Sequence, residues 1–164
     1  MKKIGVIAFV VSFFVIGCLK GDDASLNTPA CTPVPEASEI SSIQQYAAKD
    51  TVTFKEDSSS GVFYHITAPG TGLAASTYSD LFFTYNASLL DGTYIGSSAT
   101  PIQQQVANTI VGIQAMAEYL KVGTKIQMII PSSQAYGCQP FSTDSVTVPA
   151  NSVVVFNLNI TNIQ

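Results

Sequence analysis

The sequence predicts an α+β fold built on a mainly antiparallel sheet. Three observations carry this: apolar and β-branched runs of strand length, Gly/Asp/Ser clusters between them, and helical spacing in only two places. No regular strand–helix–strand alternation occurs, as a parallel sheet would need for its crossovers.

Glu36 to Lys49 sets Ile40, Ile43 and Ala47 on one face, with Tyr46 on its flank and acids in its first turn. That spacing fits a short amphipathic helix whose acids complement the helix dipole. Thr51–Phe54 reads as a strand, Asp57-Ser58-Ser59-Ser60-Gly61 as a turn, and Val62–Thr67 as a second strand by its β-branched and aromatic content. Pro69-Gly70-Thr71-Gly72 is another turn. Gly70-x-Gly72-x-x-Ala75 matches a loose dinucleotide fingerprint, but Ser76-Thr77-Tyr78-Ser79 is not helical, so the helix that would receive a phosphate is missing. Leu81–Leu89 is a strong strand that turns at Asp91-Gly92. The internal helix lies within Gln103–Lys121, best placed from Ile113 to Leu120, with Gly123 as its stop. Lys125–Ile130 and Ser152–Ile160 are the last strands. The long loop between them, Pro131 to Pro149, is of a kind that either binds something or is tied down.

The first 17 residues read as a leader. Lys2 and Lys3 supply a positive start, and the apolar run from Ile4 to Gly17 is 14 residues long, shorter than the ~20 a spanning helix needs. Val15-Ile16-Gly17-Cys18 resembles a bacterial lipobox, in which the cysteine becomes an acylated N-terminus; a secretory peptide cleaved elsewhere, or an uncleaved anchor, is the alternative. Two or more acyl chains suffice for stable anchoring. Lys20 to Pro35 is rich in Pro, Asp, Ser and Thr, the composition of an extended tether. The division expected is therefore a leader over 1–17, an acylated tether over 18–35, a helix-and-strand extension over 36–60, and a domain over 61–164. The place expected is a bacterial cell envelope, lipid-anchored in the outer membrane, facing the periplasm or the cell surface.

From Cys18 onward five lysines stand against eleven acids, with no arginine, a net charge of −6. Such a chain is a poor nucleic-acid binder, because phosphate neutralisation supplies most of that affinity. Cys31 and Cys138 remain as an even pair in an exported chain and read as a disulfide, the alternative being free thiols. With one histidine, His65, and no carboxylates beside the cysteines, no metal site is expected. Nor is there a Gly-x-Ser-x-Gly elbow or a cradle for a cofactor. What stands out is an aromatic and aliphatic series among turn residues: Tyr85, Ile110, Ile113, Tyr136 and Phe156. Ordinary core is one reading of these. Tyr136 resists it, since a tyrosine in a Gly/Pro-rich loop is badly placed for a core.

Several short pieces occur in a telling order. They are Pro69-Gly70-Thr71-Gly72, Thr84-Tyr85, Leu90-Asp91-Gly92 with Ser97-Ser98, Ile110-x-Gly112, Val122-Gly123, Ile130-Pro131 leading to Ala135-Tyr136-Gly137, Val148-Pro149-Ala150-Asn151-Ser152, and Val155-Phe156. In this order and spacing the chain from about Gly61 onward resembles the FKBP-type peptidyl-prolyl cis-trans isomerases. The resemblance implies an FKBP-like antiparallel sheet wrapped around one short helix, with an apolar pocket between them and a helical extension at the N-terminal side. It implies rotation of X–Pro bonds without acid, base or nucleophile. It places Tyr85, Ile95, Gly96, Ile113, Val148 and Phe156 around a proline pocket, and it gives the Tyr136 hydroxyl and the Ile110 N–H the task of bonding substrate carbonyls. Strongly active members usually carry Phe, Asp and Trp where this chain has Ile95, Gly96 and Ile113. Each change is expected to cost on the order of 1 kcal/mol of transition-state binding, about five- to tenfold in rate. A non-catalytic binding module or chaperone is the second reading, and a structural envelope lipoprotein the third. The partners implied are proline-containing polypeptides and, through the acyl chains, a membrane; the chain is expected to be a monomer without cofactor.

Overall fold

The computed structural model describes residues 31–143 and 146–164. The leader and Cys18 lie outside the described residues. Helix α1 (Glu36–Ala47) is followed by strands β1 (Lys55–Asp57), β2 (Val62–Ala68), β3 (Asp80–Leu89) and β4 (Tyr94–Gln105). Then come the short helix α2 (Val111–Ala115), β5 (Lys125–Ile130), β6 (Phe141–Ser142), β7 (Thr147–Val148) and β8 (Val154–Ile163). Six strands form one antiparallel sheet in the order β1-β2-β5-β8-β3-β4, and β6 pairs with β7 as a separate ribbon.

The sheet buries one face along its length and the other beneath α1, and the period of two in its strands sorts the side chains. On β5, Ile126, Met128 and Ile130 join the main core, while Ile129 faces the other side. On β8, Val154, Phe156, Leu158 and Ile160 go to the main core, and Val155, with Val153 just before the strand, to the opposite cluster. Helix α2 and the turn after it cover the first face with Ile113, Met116 and Leu120. Helix α1 covers the second with fully buried Ile43, packed with Phe63, Ile129, Val153 and Val155. Tyr46 and Ala47 flank that cluster as the helical spacing predicts. The same helix also buries Glu39.

Several expected boundaries move. Thr51–Phe54 is not a strand: Phe54 packs beside the α1 cluster, and the ladder begins at Lys55. β1, placed by sequence in the extension, is the edge strand of the main sheet, so the hairpin crosses residue 60. The expected helix over Ile113–Leu120 is shorter and earlier; after Ala115 the chain tightens into a 3₁₀ turn over Ala117–Tyr119. Gly123 therefore does not stop a helix. Its φ of +87° serves the turn from Lys121 to Thr124 that launches β5. His65 lies half-buried on β2, with Nδ1 placed to donate to the Thr53 carbonyl at 3.1 Å.

Helix α2 approaches the sheet at Gly112. A Cβ there would collide with the Ile130 side chain, and Ile130 is fully buried. Because the obstructing methyl sits on a branched, enclosed side chain, Gly112→Ala is expected to lower stability by about 1–3 kcal/mol. Urea denaturation measures this; an unchanged midpoint would mean that the helix lifts freely.

Candidate functional site

The main core is not filled to its rim. Between α2, β3, β4, β8 and the loop after β5 lies a cavity of about 440 Å³. The sheet explains the hollow. Across the strands, Phe156 pairs with Ala87, so a small residue lies beside a large ring. Ala87, Ile113 and Phe156 are buried members of the wall. Tyr85 stands over the Phe156 ring at 6.1 Å between centroids, near parallel at 29°. Phe83, Ile95, Ile102 and Ile110 complete the apolar lining, with Gln104 and Asn108 as polar members.

β4 owes its shape to an irregularity. Its register against β3 shifts between Phe83 and Tyr85, leaving residues 99–101 outside the ladder. Pro101 lies in that stretch, where its lack of an N–H costs no ladder bond. The Ser98 hydroxyl donates to the Thr100 carbonyl at 2.6 Å and closes the bend.

Ile110 sits just before α2, and its carbonyl accepts from the Ile113 and Gln114 N–H groups. The Gln114 side chain donates back to the Ala107 and Thr109 carbonyls at 3.2 and 2.7 Å, which holds the entry to the helix rigid. Among the described residues nothing accepts from the Ile110 N–H, so this donor is unspent at the cavity wall.

Tyr136 reaches the cavity from the loop after β5. That loop makes a 3₁₀ turn over Ser132–Gln134, and the Gly137 N–H then donates to the Ser132 carbonyl at 2.8 Å. Gly137 takes φ +69°, which a side chain would resist. The Tyr136 ring stacks on Phe141, with centroids 4.7 Å apart and planes at 16°. No described side chain hydrogen-bonds its hydroxyl. Burial, and secondarily the neighbouring Tyr85, push the Tyr136 phenol above its ordinary pKa. It is therefore a protonated donor at neutral pH.

Tyr85, Ile95, Ile110, Ile113, Tyr136 and Phe156, which the resemblance names, all line this one cavity. Two expected pocket residues stand differently. Gly96 is not part of the lining; a Cβ there would lie 3.4 Å from the Tyr85 hydroxyl, so the glycine leaves room beside that group. Val148 is fully buried in the core and pairs with Phe141 across β6 and β7, so it supports a wall residue instead of forming the wall. Phe141 escaped the sequence reading. It lies in the same tied-down loop as Tyr136, where an aromatic ring is equally badly placed for a core. The Cys31–Cys138 disulfide is present, with Cα atoms 5.4 Å apart.

An antiparallel sheet over a short helix, enclosing an apolar cavity with two free donors, defines a fold and site class. The sequence profile of the FKBP-type peptidyl-prolyl cis-trans isomerase family matches residues 74–161, more than half of the chain. The chain belongs to that family. It is similar to "FKBP-type peptidyl-prolyl cis-trans isomerase FkpA" of Buchnera aphidicola subsp. Schizaphis graminum, 33% identical over 110 residues, covering 65% of this chain and 42% of that one. The protein of the same name from Escherichia coli K12 is 27% identical over 110 residues, covering 65% of this chain and 39% of the other. The chain thus spans about two fifths of the length of these curated relatives. In three dimensions it resembles the crystal structure of FkpA from Escherichia coli, with a TM-score of 0.65, 23% identity, and coverage of 78% of this chain and 60% of that one. A peptidyl-prolyl cis-trans isomerase from Pseudomonas syringae pv. tomato gives a TM-score of 0.64 at 22% identity, covering 81% of this chain and 98% of the other.

Proposed function

We propose that this chain is a peptidyl-prolyl cis-trans isomerase for X–Pro bonds of exported or envelope proteins, held at a membrane by acyl chains on Cys18. The observation that carries the catalytic reading is the pairing of an apolar cavity with two unspent donors, the Tyr136 hydroxyl and the Ile110 N–H. Rotation about an X–Pro bond is slow because amide resonance resists twisting, with a barrier of about 18–20 kcal/mol. The proline ring enters between Tyr85, Ile113 and Phe156. A low-dielectric wall favours the twisted amide, which is less polar than the planar one. The two donors hold flanking carbonyls, and only contacts stronger in the twisted state raise the rate. Ile95 and Ile113 keep the wall apolar but less rigid, and Gly96 brings no side chain to it, so the rate is expected to be modest.

A protease-coupled assay on an Ala-Pro-Phe peptide tests this. Tyr136→Phe, which keeps the ring and removes one hydrogen bond, is expected to lower kcat/KM about tenfold. Because the phenol titrates above its usual value of about 10, the wild-type rate should stay level through neutral pH and into the mildly alkaline range. No rate above background at micromolar protein would remove the catalytic reading.

The second reading, a binding module or chaperone without turnover, is favoured by Ile113 at the buried floor, where an aliphatic side chain replaces a ring. Suppression of client aggregation by a protein inactive in the peptide assay would select it.

A further inference from the structure

Residues 31–47 precede the stretch that matches the family profile, yet three attachments tie them to the loop that carries Tyr136. Cys31 is bonded to Cys138, two residues past Tyr136. Asn151, at φ 56°, donates its N–H to the Gly137 carbonyl at 2.9 Å. Its side chain grips the N-terminal segment in both directions: Oδ1 accepts from the Val34 N–H and Nδ2 donates to the Thr32 carbonyl, each at 3.2 Å. From α1, Glu39 accepts the Ser132 N–H on Oε2 at 2.9 Å, and the Ser132 carbonyl in turn accepts from Ala135 and Gly137.

The Glu39 contact is not what simple covering of the sheet would select. Glu39 is 7% exposed, and its Oε1 has no partner among the described residues. A buried carboxylate with an unmet oxygen is unfavourable, and an apolar residue would pack there at lower cost, as Ile43 does one turn later. What the carboxylate alone supplies is an acceptor for the first N–H of the Tyr136 loop.

We propose that residues 31–47 form a brace for the Tyr136 loop, in which Glu39 and Asn151 are positioning residues that set where the phenol hydroxyl stands over the cavity. This rests on reading Tyr136 as a substrate-facing group. The brace grips both ends of the loop: Glu39 at Ser132, where it leaves β5, and Asn151 and Cys31 at Gly137 and Cys138, just past the tyrosine. The segment that leads toward the membrane is thereby part of the site's own framework.

The test uses the full chain with its disulfide intact, comparing wild type with Glu39→Ala, Glu39→Gln and Asn151→Gly. Glu39→Ala orphans the Ser132 N–H, whereas Glu39→Gln keeps an acceptor oxygen. Asn151→Gly tolerates the left-handed backbone and retains its N–H, but loses the side-chain grip. Amide hydrogen exchange across residues 132–141 is expected to quicken about tenfold in Glu39→Ala and Asn151→Gly, with β5 and β8 unchanged. Glu39→Gln should stay within about twofold of wild type on the same measure. In the peptide assay, kcat should fall more than KM rises, because the substrate pocket itself is intact. Unchanged loop exchange, or a rise shared equally by β5 and β8, would overturn the brace. A wild type inactive in the peptide assay but selective in exchange would retain the brace and remove the isomerase reading.

Discussion

Replacing Cys31 by serine is expected to remove about 4–5 kcal/mol of stability, the chain-entropy value for a loop of this size. The bond joins residues 107 apart, so it encloses most of the described domain in one covalent ring. In the unfolded chain that ring forbids a large set of conformations, and cutting it returns them. The segment it ties carries little packing of its own near Cys31: Thr32 and Pro33 are exposed, and Thr32 and Val34 are held through their backbone by the Asn151 amide. Guanidinium unfolding followed by tyrosine fluorescence, for which the chain has seven tyrosines and no tryptophan, measures the loss. Wild type in dithiothreitol should match the variant. Curves that coincide with and without reductant would show that the bond adds nothing in solution.

The second large effect is expected at Phe156. Phe156→Ala should cost about 3–5 kcal/mol, the range for truncating a buried phenylalanine. The ring is 7% exposed, pairs with Ala87 and Met128 on the flanking strands, and stacks under Tyr85. Its small neighbour Ala87 cannot collapse into the space left behind. The truncation also joins the new void to the existing 440 Å³ cavity, so a proline ring would lose one face of contact. Calorimetry gives the stability change, and titration with a proline-containing peptide gives the loss of binding. If affinity is unchanged while stability falls, Phe156 serves the fold and not the pocket.

How much of this was legible beforehand depended on whether the signal was local. Lys125–Ile130 and Leu81–Leu89 read as strands because interior strands that bury at least one face need apolar and β-branched residues at strand spacing. β4 did not read as one. It is an edge strand in which six of twelve residues are exposed and none is buried, so little packing demands an apolar pattern. The apolar spacing carries the expected helix on through Met116 and Leu120, whereas the 3₁₀ turn buries the same residues by another path. Glu39 was counted only as a first-turn acid. Its partner, Ser132, lies 93 residues away, and no spacing rule connects them.

The sequence by itself carried the class of fold in its turn chemistry and periodicity and, through the family resemblance of its motif order, pointed to six residues that meet at the cavity; it left the two cysteines between a disulfide and free thiols. Only the tertiary structure decided that the cavity arises where Ala87 lies beside Phe156 in the adjoining strand. It alone moved Val148 from the wall to the support behind Phe141, and drew residues 31–47 onto the Tyr136 loop. The reason is the same in each case. These are contacts between segments distant in sequence, and their energy depends on strand register and shape, which no local window of residues contains.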